Sequence, residues 1–535
     1  MRLVRGVLVL LLFGVLAACG EPSVDDRLAR FLQAWQKADF AGQPLYTPRG
    51  QPLDAAAAKR TLTDVEGELA AHRPALTKRG KATVRGADAT QPVGVSWPLP
   101  DGRTWTYDTT VHARKMDKAW QIYFDARTVH PDLHEDQHLT LQRSPAKRGV
   151  VLAADDSEVV SEIPVVYVGL EPRLVDDVDA VAQHLDLVFR SVRVDVDVSA
   201  LPARLRAAKP DAFVDVVTLR QSDYAEIETD LRNTRGVTTR TGTLSLPLTR
   251  TFARALLGTS GPATKELIDA SAGALKAGDV TGLTGLQRRY DTLLRGGQGL
   301  AVVAAPASSG AAPLFTAPPL PGGRLRTTLD VRTQQAAEAA LATTPSRSAL
   351  VAIRLSDGAV LAVANGPDAA GYNLAFQAEL PAPLPAGASP ATLGYGLDWH
   401  LGADAFTGRP SVSAAASGAP LPSAGGPASA GASGSAGAPG SAGSSAAVGS
   451  PLVHAAAVAA LSRGHWKQPT LIRDPAVPGA SPDGPALTAV PSPTLAGLGM
   501  TAAVSGDIAY CLYVESATPE ALTNIANTFL SGAPK

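Results

Sequence analysis

A low-complexity stretch, residues 411–450, most constrains how this chain can fold, because it cannot contribute to a core. It consists of Ala, Ser, Gly and Pro with one Leu and two Val, and no Asp, Glu, Lys or Arg lies between Arg409 and Arg463. Such a composition buries too little apolar area to offset the entropy that an ordered chain loses. We therefore interpret 411–450 as a linker between two parts of one folded region, 327–410 and 451–535.

Length and composition limit the classes of protein to which the chain can belong. Its 535 residues suffice for roughly three to four domains. With 48 Lys and Arg against 49 Asp and Glu, the net charge is −1, which argues against a nucleic acid partner because phosphate binding needs a clustered basic surface. Two cysteines, Cys19 and Cys511, exclude a disulfide framework and a cysteine-based zinc site. No cofactor is predicted.

The first residues are typical of an export signal that ends in a lipidation site. Arg2 and Arg5 precede an apolar run over 7–16, which is too short to span a bilayer of ~30 Å. The following Leu-Ala-Ala-Cys-Gly resembles a bacterial lipobox, which implies cleavage before Cys19 and its lipidation. The sequence therefore predicts a signal peptide over 1–19 and a protein anchored by lipid at the extracytoplasmic face of the bacterial cell membrane. An ordinary secretory signal is the alternative.

Three folded regions follow, and their patterns indicate a multidomain α+β protein. Residues 24–138 have two helical patterns, 24–40 and 55–71, before a series of short strand patterns, 82–84, 93–97, 104–107, 110–112 and 119–123. Residues 139–305 form a second region with mixed patterns. The third region begins at 327 with a helix and a β-hairpin, and after the linker it has a helix, a buried strand around Cys511 and a terminal helix over 519–529.

Short motifs in a fixed order indicate a family. They are Trp120 and His130-Pro131, Arg148-Gly149, Gly285-Leu286-Gln287 with Tyr290-Asp291, Thr328-Leu329-Asp330 with Gln334-Gln335, the hairpin 349–365, and Ser450-Pro451-Leu452 with Arg463-Gly464. In this order they resemble a class B (monofunctional) penicillin-binding protein. The resemblance implies a nuclear-transport-factor-like (cystatin-like) domain over 24–138 and a pedestal or dimerisation domain over 139–305. It also implies a serine-transpeptidase (β-lactamase-like) domain in the parts 327–410 and 451–535.

The residues that the family uses for acyl transfer are missing at the expected places. The family needs a Ser with a Lys three positions later, a Ser-x-Asn, and a Lys-Thr/Ser-Gly on an edge strand. The only Ser-x-x-Lys, Ser144 to Lys147, lies in the pedestal range. Where the nucleophile belongs, Ser389 is followed three residues later by Thr392, and a hydroxyl cannot act as the base. The segment 499–507, where we expect the Lys-Thr-Gly strand, has no lysine.

A shortened transpeptidase domain without the three motifs predicts a catalytically inactive protein. We expect a binding or scaffold module of peptidoglycan assembly, with peptidoglycan stem peptides and cell-wall synthesis proteins as possible partners. The alternative is an active D,D-transpeptidase with altered motifs in which Ser389 is the nucleophile.

A second rival motif, His134-Glu135-Asp136-Gln137-His138, matches the HExxH pattern of zinc hydrolases. That chemistry needs His134 and His138 on one face of a helix, Glu135 as base and a third ligand such as Glu158. Pro131 precedes the motif and a strand pattern follows it, so we interpret the segment as a solvated connection. A zinc hydrolase remains the third hypothesis.

Overall fold

The computed structural model describes residues 23–100, 102–306, 312–369, 371–411, 446–473, 484, 486–487, 490 and 493–534. The predicted signal peptide, Cys19 and most of the predicted linker lie outside these residues. Within them, no helix has both the length and the apolar character needed to cross a bilayer. The chain divides into two compact units, of which the first contains the residues up to 145 and 298–319, and the second contains 146–297 and 320–535.

The helices of the described residues are α1 (Val24–Lys37), α2 (Ala55–Glu66), α3 (Ala126–Val129), α4 (Val178–Ser191), α5 (Leu201–Ala207), α6 (Gln221–Asn233), α7 (Arg254–Leu257), α8 (Lys265–Ala270), α9 (Gly285–Arg289), α10 (Asp291–Arg295), α11 (Val331–Leu341), α12 (Leu374–Gln377), α13 (Pro451–Arg463) and α14 (Pro519–Gly532).

The strands are β1 (Leu45–Tyr46), β2 (Pro52–Leu53), β3 (Ala75–Lys78), β4 (Thr83–Arg85), β5 (Asp88–Pro98), β6 (Thr104–Met116), β7 (Ala119–Tyr123), β8 (His138–Ser144), β9 (Val150–Leu152), β10 (Glu158–Leu170), β11 (Val214–Arg220), β12 (Val237–Pro247), β13 (Ser260–Pro262), β14 (Val280–Gly282), β15 (Gly299–Ala305), β16 (Phe315–Ala317), β17 (Arg324–Arg326), β18 (Ser348–Arg354), β19 (Val360–Asn365), β20 (Leu380–Pro383), β21 (Arg409–Ser411), β22 (Ala446–Gly449), β23 (Thr494–Gly497), β24 (Met500–Ser505) and β25 (Ile508–Val514).

The first unit packs α1 against a mixed sheet of order β2-β1-β7-β6-β5-β3, in which β4 also pairs with β5, while α2 packs against α3 and β8. Ser23 caps α1 by accepting from the N–H of Asp26. The helical spacing of Leu28, Phe31 and Trp35 brings all three side chains into the core, where each is fully buried. The two strands predicted at 104–107 and 110–112 are a single strand, β6, because it pairs with β5 without interruption.

A second, three-stranded sheet in the first unit joins segments from the two ends of the region 139–305. Its order is β16-β15-β8, and β8 pairs with β15 from His138↔Ala305 to Ser144↔Gly299. Residues 139–145 and 298–305, predicted as parts of the pedestal, therefore belong to the first unit. The physical reason is apolar packing, because Leu139, Leu300 and Val302 share the core that is formed by the N-terminal helices and sheet.

The second unit begins with a sheet of order β11-β10-β9-β17, in which β12 lies on the other side of β10. The helices α4, α5 and α6 pack with β10 and β11 around a small apolar core that includes Leu185, Phe189 and Ile227. Strand β17 runs parallel to β9 and leads directly into α11. The pedestal-like and transpeptidase-like parts share one apolar cluster in this unit.

The C-terminal part of the second unit is an antiparallel sheet of order β19-β18-β25-β24-β23. Helices α11 and α14 cover one face and α13 covers the other. The Gln334 side chain of α11 completes the outer edge of β19, since its Oε1 accepts from Val363 N (2.7 Å) and its Nε2 donates to Val363 O (3.1 Å). Together with the first unit, this arrangement confirms the predicted multidomain α+β fold class.

The predicted linker is shorter than 411–450. Residues 446–449 form β22, which lies between β20 and β21, and Ser450 donates through Oγ to Phe406 O over 2.8 Å. The two buried positions of β22 are the small residues Ala447 and Gly449, which lets the strand fit against the core, where Ala447 is fully buried. The segment 412–445 lies outside the described residues, so the rest of this prediction is unchanged.

Candidate functional site

Ser389, the predicted candidate nucleophile, lies in an exposed turn and not at the start of an α-helix. Its hydroxyl donates to Oγ1 of Thr392 over 3.1 Å, and the Thr392 hydroxyl donates to Ser389 O over 2.8 Å. The backbone N–H of each residue donates to the hydroxyl of the other. These four contacts satisfy the local backbone in the manner of a serine or threonine turn. Neither hydroxyl is a base, so nothing in the turn removes the Ser389 proton.

The turn at Ser389 ends before a helix can form. A 3-10 helix of three residues, 391–393, is followed by Gly394 with φ +90°. A Cβ at residue 394 would lie 2.0 Å from Nε1 of Trp466, so the indole packs directly on the glycine. The chain therefore turns away at the point where a catalytic helix would have to continue.

Lysine is almost absent from the transpeptidase-like region. Lys467 and Lys535 are the only lysines between residues 327 and 535. Three positions before each of them stands a glycine, Gly464 and Gly532, so neither completes a Ser-x-x-Lys pair. The Lys467 side chain lies beside the β18–β19 turn, where its Cδ would be 3.8 Å from a Cβ at Gly358. Neither lysine of the region therefore completes the Ser-x-x-Lys or the Lys-Thr/Ser-Gly motif of the family.

Strand β23 lies at the edge of the sheet opposite to β19. This position corrects the expectation that 499–507 takes the place of the Lys-Thr-Gly strand. Residues 500–505 form β24, an inner strand between β23 and β25. The edge strand itself reads Thr-Leu-Ala-Gly and carries no cation. At its end it is packed against β20, because a Cβ at Gly497 would come within 2.7 Å of Pro381 O. The sequence feature that indicates the position of this strand is the hairpin turn at Leu498-Gly499, which follows it.

A buried tyrosine–histidine pair joins three elements behind this strand. Nε2 of His454 in α13 lies 2.9 Å from Leu380 O of β20, and Nδ1 lies 2.8 Å from the hydroxyl of Tyr395. Because a carbonyl only accepts, Nε2 carries the proton and Nδ1 accepts from the phenol. Burial lowers the pKa of His454 to about 4 and raises the pKa of Tyr395. The neutral pair therefore fixes β20 to α13 and is a structural contact.

The other predicted thiol and serine sites have structural positions. Cys511 is fully buried in β25, as predicted, and burial raises the pKa of its thiol. Ser144 is the last residue of β8, and residues 145–149 have no regular secondary structure. The Ser-x-x-Lys pattern that ends at Lys147 is therefore not on a helix, which agrees with its exclusion as a catalytic motif.

The HExxH motif does not form the helix that zinc chemistry needs. His134 lies in a turn, where its N–H bonds to Gln137 Oε1 over 3.0 Å, and His138 is the first residue of β8. Both imidazoles are exposed, and Glu135 pairs with Arg49 over 3.3 Å. Across the described part of the chain, no group of three or more His, Cys, Asp or Glu side chains is arranged to hold a metal ion. The nearby His130 is buried against Trp105 and Tyr107.

One open pocket in the second unit has the mixed charge that a zwitterionic ligand requires. Its volume is about 790 Å³, and the loop 397–407 forms most of its wall. Arg289 and Asp404, which both line it, pair over 2.7 Å, with side chains that are 47% and 88% exposed. Tyr290 fixes the loop by donating from its hydroxyl to Gly402 O over 2.9 Å. Sequence reasoning did not identify this pocket, because its two walls are more than a hundred positions apart.

Two family models match parts of the chain in the predicted order. Residues 23–137 match the NTF2-like N-terminal transpeptidase domain, and residues 143–327 match the Penicillin-binding Protein dimerisation domain. Together the two ranges span more than half of the chain. No curated protein matches it. A solved structure, the complex between Penicillin-Binding Protein (PBP2) and MreC from Helicobacter pylori, aligns with a TM-score of 0.46 at 12% identity, covering 74% of this chain and 98% of that chain.

The two domains in this order give the chain the architecture of a class B penicillin-binding-protein-like protein. It is a penicillin-binding-protein-like protein related to peptidoglycan.

Proposed function

We propose that this protein is an inactive member of its class that serves as a lipid-anchored binding or scaffold module in peptidoglycan assembly. One observation carries the proposal: the hydroxyl partner of Ser389 is Thr392, and the edge strand β23 has no lysine. Acyl transfer needs a base that takes the serine proton and donors that stabilise the oxyanion. Removal of single members of such a catalytic unit already lowers the rate by orders of magnitude.

The sequence supports the proposed lipid anchor, and the pocket supports the proposed peptide partner. Lipidation at Cys19 would hold the domains at the extracytoplasmic membrane face. The pocket offers the guanidinium of Arg289 and the carboxylates of Asp398 and Asp404, and charges of both signs suit noncovalent binding of a stem peptide that carries both. Cell-wall synthesis proteins are the expected protein partners, because a scaffold acts through what it binds.

Covalent labelling with a fluorescent penicillin tests inactivity directly. The full-length protein, its Ser389→Ala variant and an active class B enzyme as positive control are incubated with the probe and separated on denaturing gels. We expect labelling of the control alone. Labelling of the wild type that disappears in the Ser389→Ala variant would establish the alternative, an active transpeptidase with an altered nucleophile.

Membrane attachment and metal content are tested separately. We expect Cys19→Ala to move the protein from the membrane fraction to the soluble fraction, and a chain that stays in the membrane would contradict the lipid anchor. Stoichiometric zinc with peptidase activity that a chelator removes would establish the zinc hydrolase instead. Copurification of cell-wall synthesis enzymes, with no acylation of this protein, is the result that the scaffold predicts.

A further inference from the structure

Two hairpin turns lie side by side at one end of the large sheet in the first unit. One turn joins β4 to β5, and the other joins β6 to β7. The pairing of β5 with β6 starts there at Asp88↔Arg114, and Lys115 N donates to Ala87 O over 2.7 Å, so the two turns are in contact. The opposite end of β6, at Thr104, lies about 40 Å away, because a strand rises ~3.4 Å per residue.

This end of the sheet, which we call the hairpin end, carries an excess of cations. Arg114 pairs with Asp88 over 3.4 Å, and Asp117 is the other carboxylate in the two turns. The exposed cationic side chains of the hairpin end are Arg85, Arg114, Lys115 and Lys118. Four cations thus stand against two carboxylates, and such an excess attracts a surface of negative charge.

Apolar side chains are exposed beside these cations. Val84 is 49% exposed and Met116 is 39% exposed, and among the described residues of the first unit these are the exposed large apolar side chains. Exposed apolar groups with basic neighbours are typical of a contact with a membrane, because the apolar groups enter the headgroup region while the cations meet the lipid phosphates.

Helix α1 begins near the hairpin end. Nζ of Lys78 lies 3.0 Å from the carboxylate of Asp25 in the first turn of α1, and the backbone N–H of Ala82 also bonds to that carboxylate. Ala82 is three residues before Arg85, so the start of α1 lies ~10 Å from the turn. Cys19, the proposed lipidation site, precedes the N-cap of α1 by four residues, which span at most ~14 Å. An anchor at Cys19 therefore holds the hairpin end close to the membrane surface.

We propose that the hairpin end is a membrane-docking surface, and that its ligand is the anionic headgroup layer of a phospholipid bilayer. The inference rests on the proposed lipid anchor, which attaches the chain, whereas the cations and the two exposed apolar side chains set the orientation of the first unit. Each basic residue close to an anionic bilayer strengthens binding roughly fivefold. The attraction decays within about 10 Å at 0.1 M salt, so the turns must lie at the surface itself.

Vesicle flotation tests the docking surface without the anchor. The full-length chain with Cys19→Ser is floated with vesicles of phosphatidylcholine, or of an equal mixture of phosphatidylcholine and phosphatidylglycerol. The neutral vesicles report any binding through the apolar run over 7–16. We expect stronger binding to the anionic vesicles, and we expect high salt to remove the difference.

Charge variants in the same flotation assay locate the binding to the hairpin end. Lys115→Gln combined with Lys118→Gln removes two cations and should weaken binding to the anionic vesicles roughly 30-fold. The matched control, Lys59→Gln combined with Arg60→Gln, removes the same charge from exposed positions on α2 and should leave binding nearly unchanged. Circular dichroism checks that both variants fold.

Fluorescence quenching tests the orientation on the lipidated protein. A fluorophore is attached to Ala87→Cys at the hairpin end or to Thr104→Cys at the far end of β6, both at exposed positions, while Cys511 is buried and does not react. The proteins are reconstituted into the anionic vesicles. We expect a lipid with a quencher on its headgroup to quench the label at 87 strongly and the label at 104 weakly.

The outcomes separate this inference from the proposed anchor. Equal quenching at the two positions, equal flotation with both kinds of vesicle, or equal losses in the two charge variants would overturn the docking surface. A wild-type chain that does not stay with the vesicles on reconstitution would refute the anchor, and the flotation assay would still decide whether the hairpin end binds anionic lipid.

Discussion

The guanidinium of Arg148 lies 2.8 Å from the carboxylate of Asp291, although the two residues are 143 positions apart in the sequence. Arg148 also donates from Nε to Gln287 Oε1 over 2.9 Å and from Nη2 to Gln287 O over 3.1 Å. Asp291 in turn accepts from the hydroxyl of Thr281 and the N–H of Gly282. Two family motifs that look independent in the sequence thus form one buried polar network.

We predict that removal of Arg148 strongly destabilises the second unit. The Arg148 side chain is 5% exposed, so Arg148→Ala breaks a buried ion pair and leaves the Asp291 carboxylate with only its longer pair to Arg295 over 3.6 Å. Such a loss costs roughly 3–5 kcal/mol in the free energy of unfolding. Urea unfolding of the two proteins measures the difference.

The matched control for Arg148 is Arg289→Ala, which breaks the exposed pair with Asp404. Because water and salt screen that pair, its removal should change the free energy of unfolding by less than about 1 kcal/mol. Equal losses in the free energy of unfolding would contradict the prediction that burial makes the Arg148 pair more important for stability than the Arg289 pair.

A second prediction concerns Gln334, whose amide completes the edge of β19. In Gln334→Ala, the N–H and C=O of Val363 stay buried without their partners, which we expect to lower the free energy of unfolding by about 2–3 kcal/mol. Gln335→Ala is the control, since that side chain is exposed on the same helix. Thermal unfolding followed by circular dichroism compares the three proteins, and a similar loss in both variants would refute the edge role.

A third prediction concerns the pH dependence of stability through His454. Its pKa is about 4 in the folded protein and roughly 6.5 when unfolded. Between these values the unfolded chain binds a proton that the folded chain does not bind. The free energy of unfolding therefore falls by about 3 kcal/mol as the pH is lowered from about 6.5 to 4. Below that pH the contribution of His454 no longer changes.

Urea unfolding between pH 7 and 4 of the wild type and His454→Gln checks this pH dependence. The free energy of unfolding of His454→Gln should lack the fall between about pH 6.5 and 4 that His454 causes in the wild type. The difference in stability between the two proteins therefore shrinks as the pH falls. His400→Gln, at an exposed position, should keep the full slope. A slope that is the same in wild type and His454→Gln would show that another group titrates.

A fourth prediction is that one added lysine does not create an active site. Thr392→Lys restores the spacing Ser-x-x-Lys, but Ser389 stays on a short exposed 3-10 turn and β23 still has no cation. We expect no covalent labelling of this variant by a fluorescent penicillin. If the variant is labelled and the further substitution Ser389→Ala abolishes the labelling, the other catalytic groups are already in place.

Local patterns predicted most of the single elements correctly. The helical spacing of Leu28, Phe31 and Trp35 marks α1, and the apolar run around Cys511 marks β25, because each of these elements buries one face or both. The boundaries of domains were harder to predict. The pairing of β8 with β15 joins segments separated by more than 150 positions, and no local pattern contains the information about such a contact.

The sequence by itself determined which catalytic groups are missing: the transpeptidase-like region has lysine only at 467 and 535 and has no Ser-x-Asn. The sequence also determined the order of the family motifs. It could do so because a missing functional group cannot be supplied by folding. Only the tertiary structure decided which strand is the sheet edge, that the hydroxyl of Ser389 bonds to that of Thr392, and that Arg148 meets Asp291. Those facts depend on contacts between distant segments, which apolar burial and hydrogen bonding fix together in the folded chain.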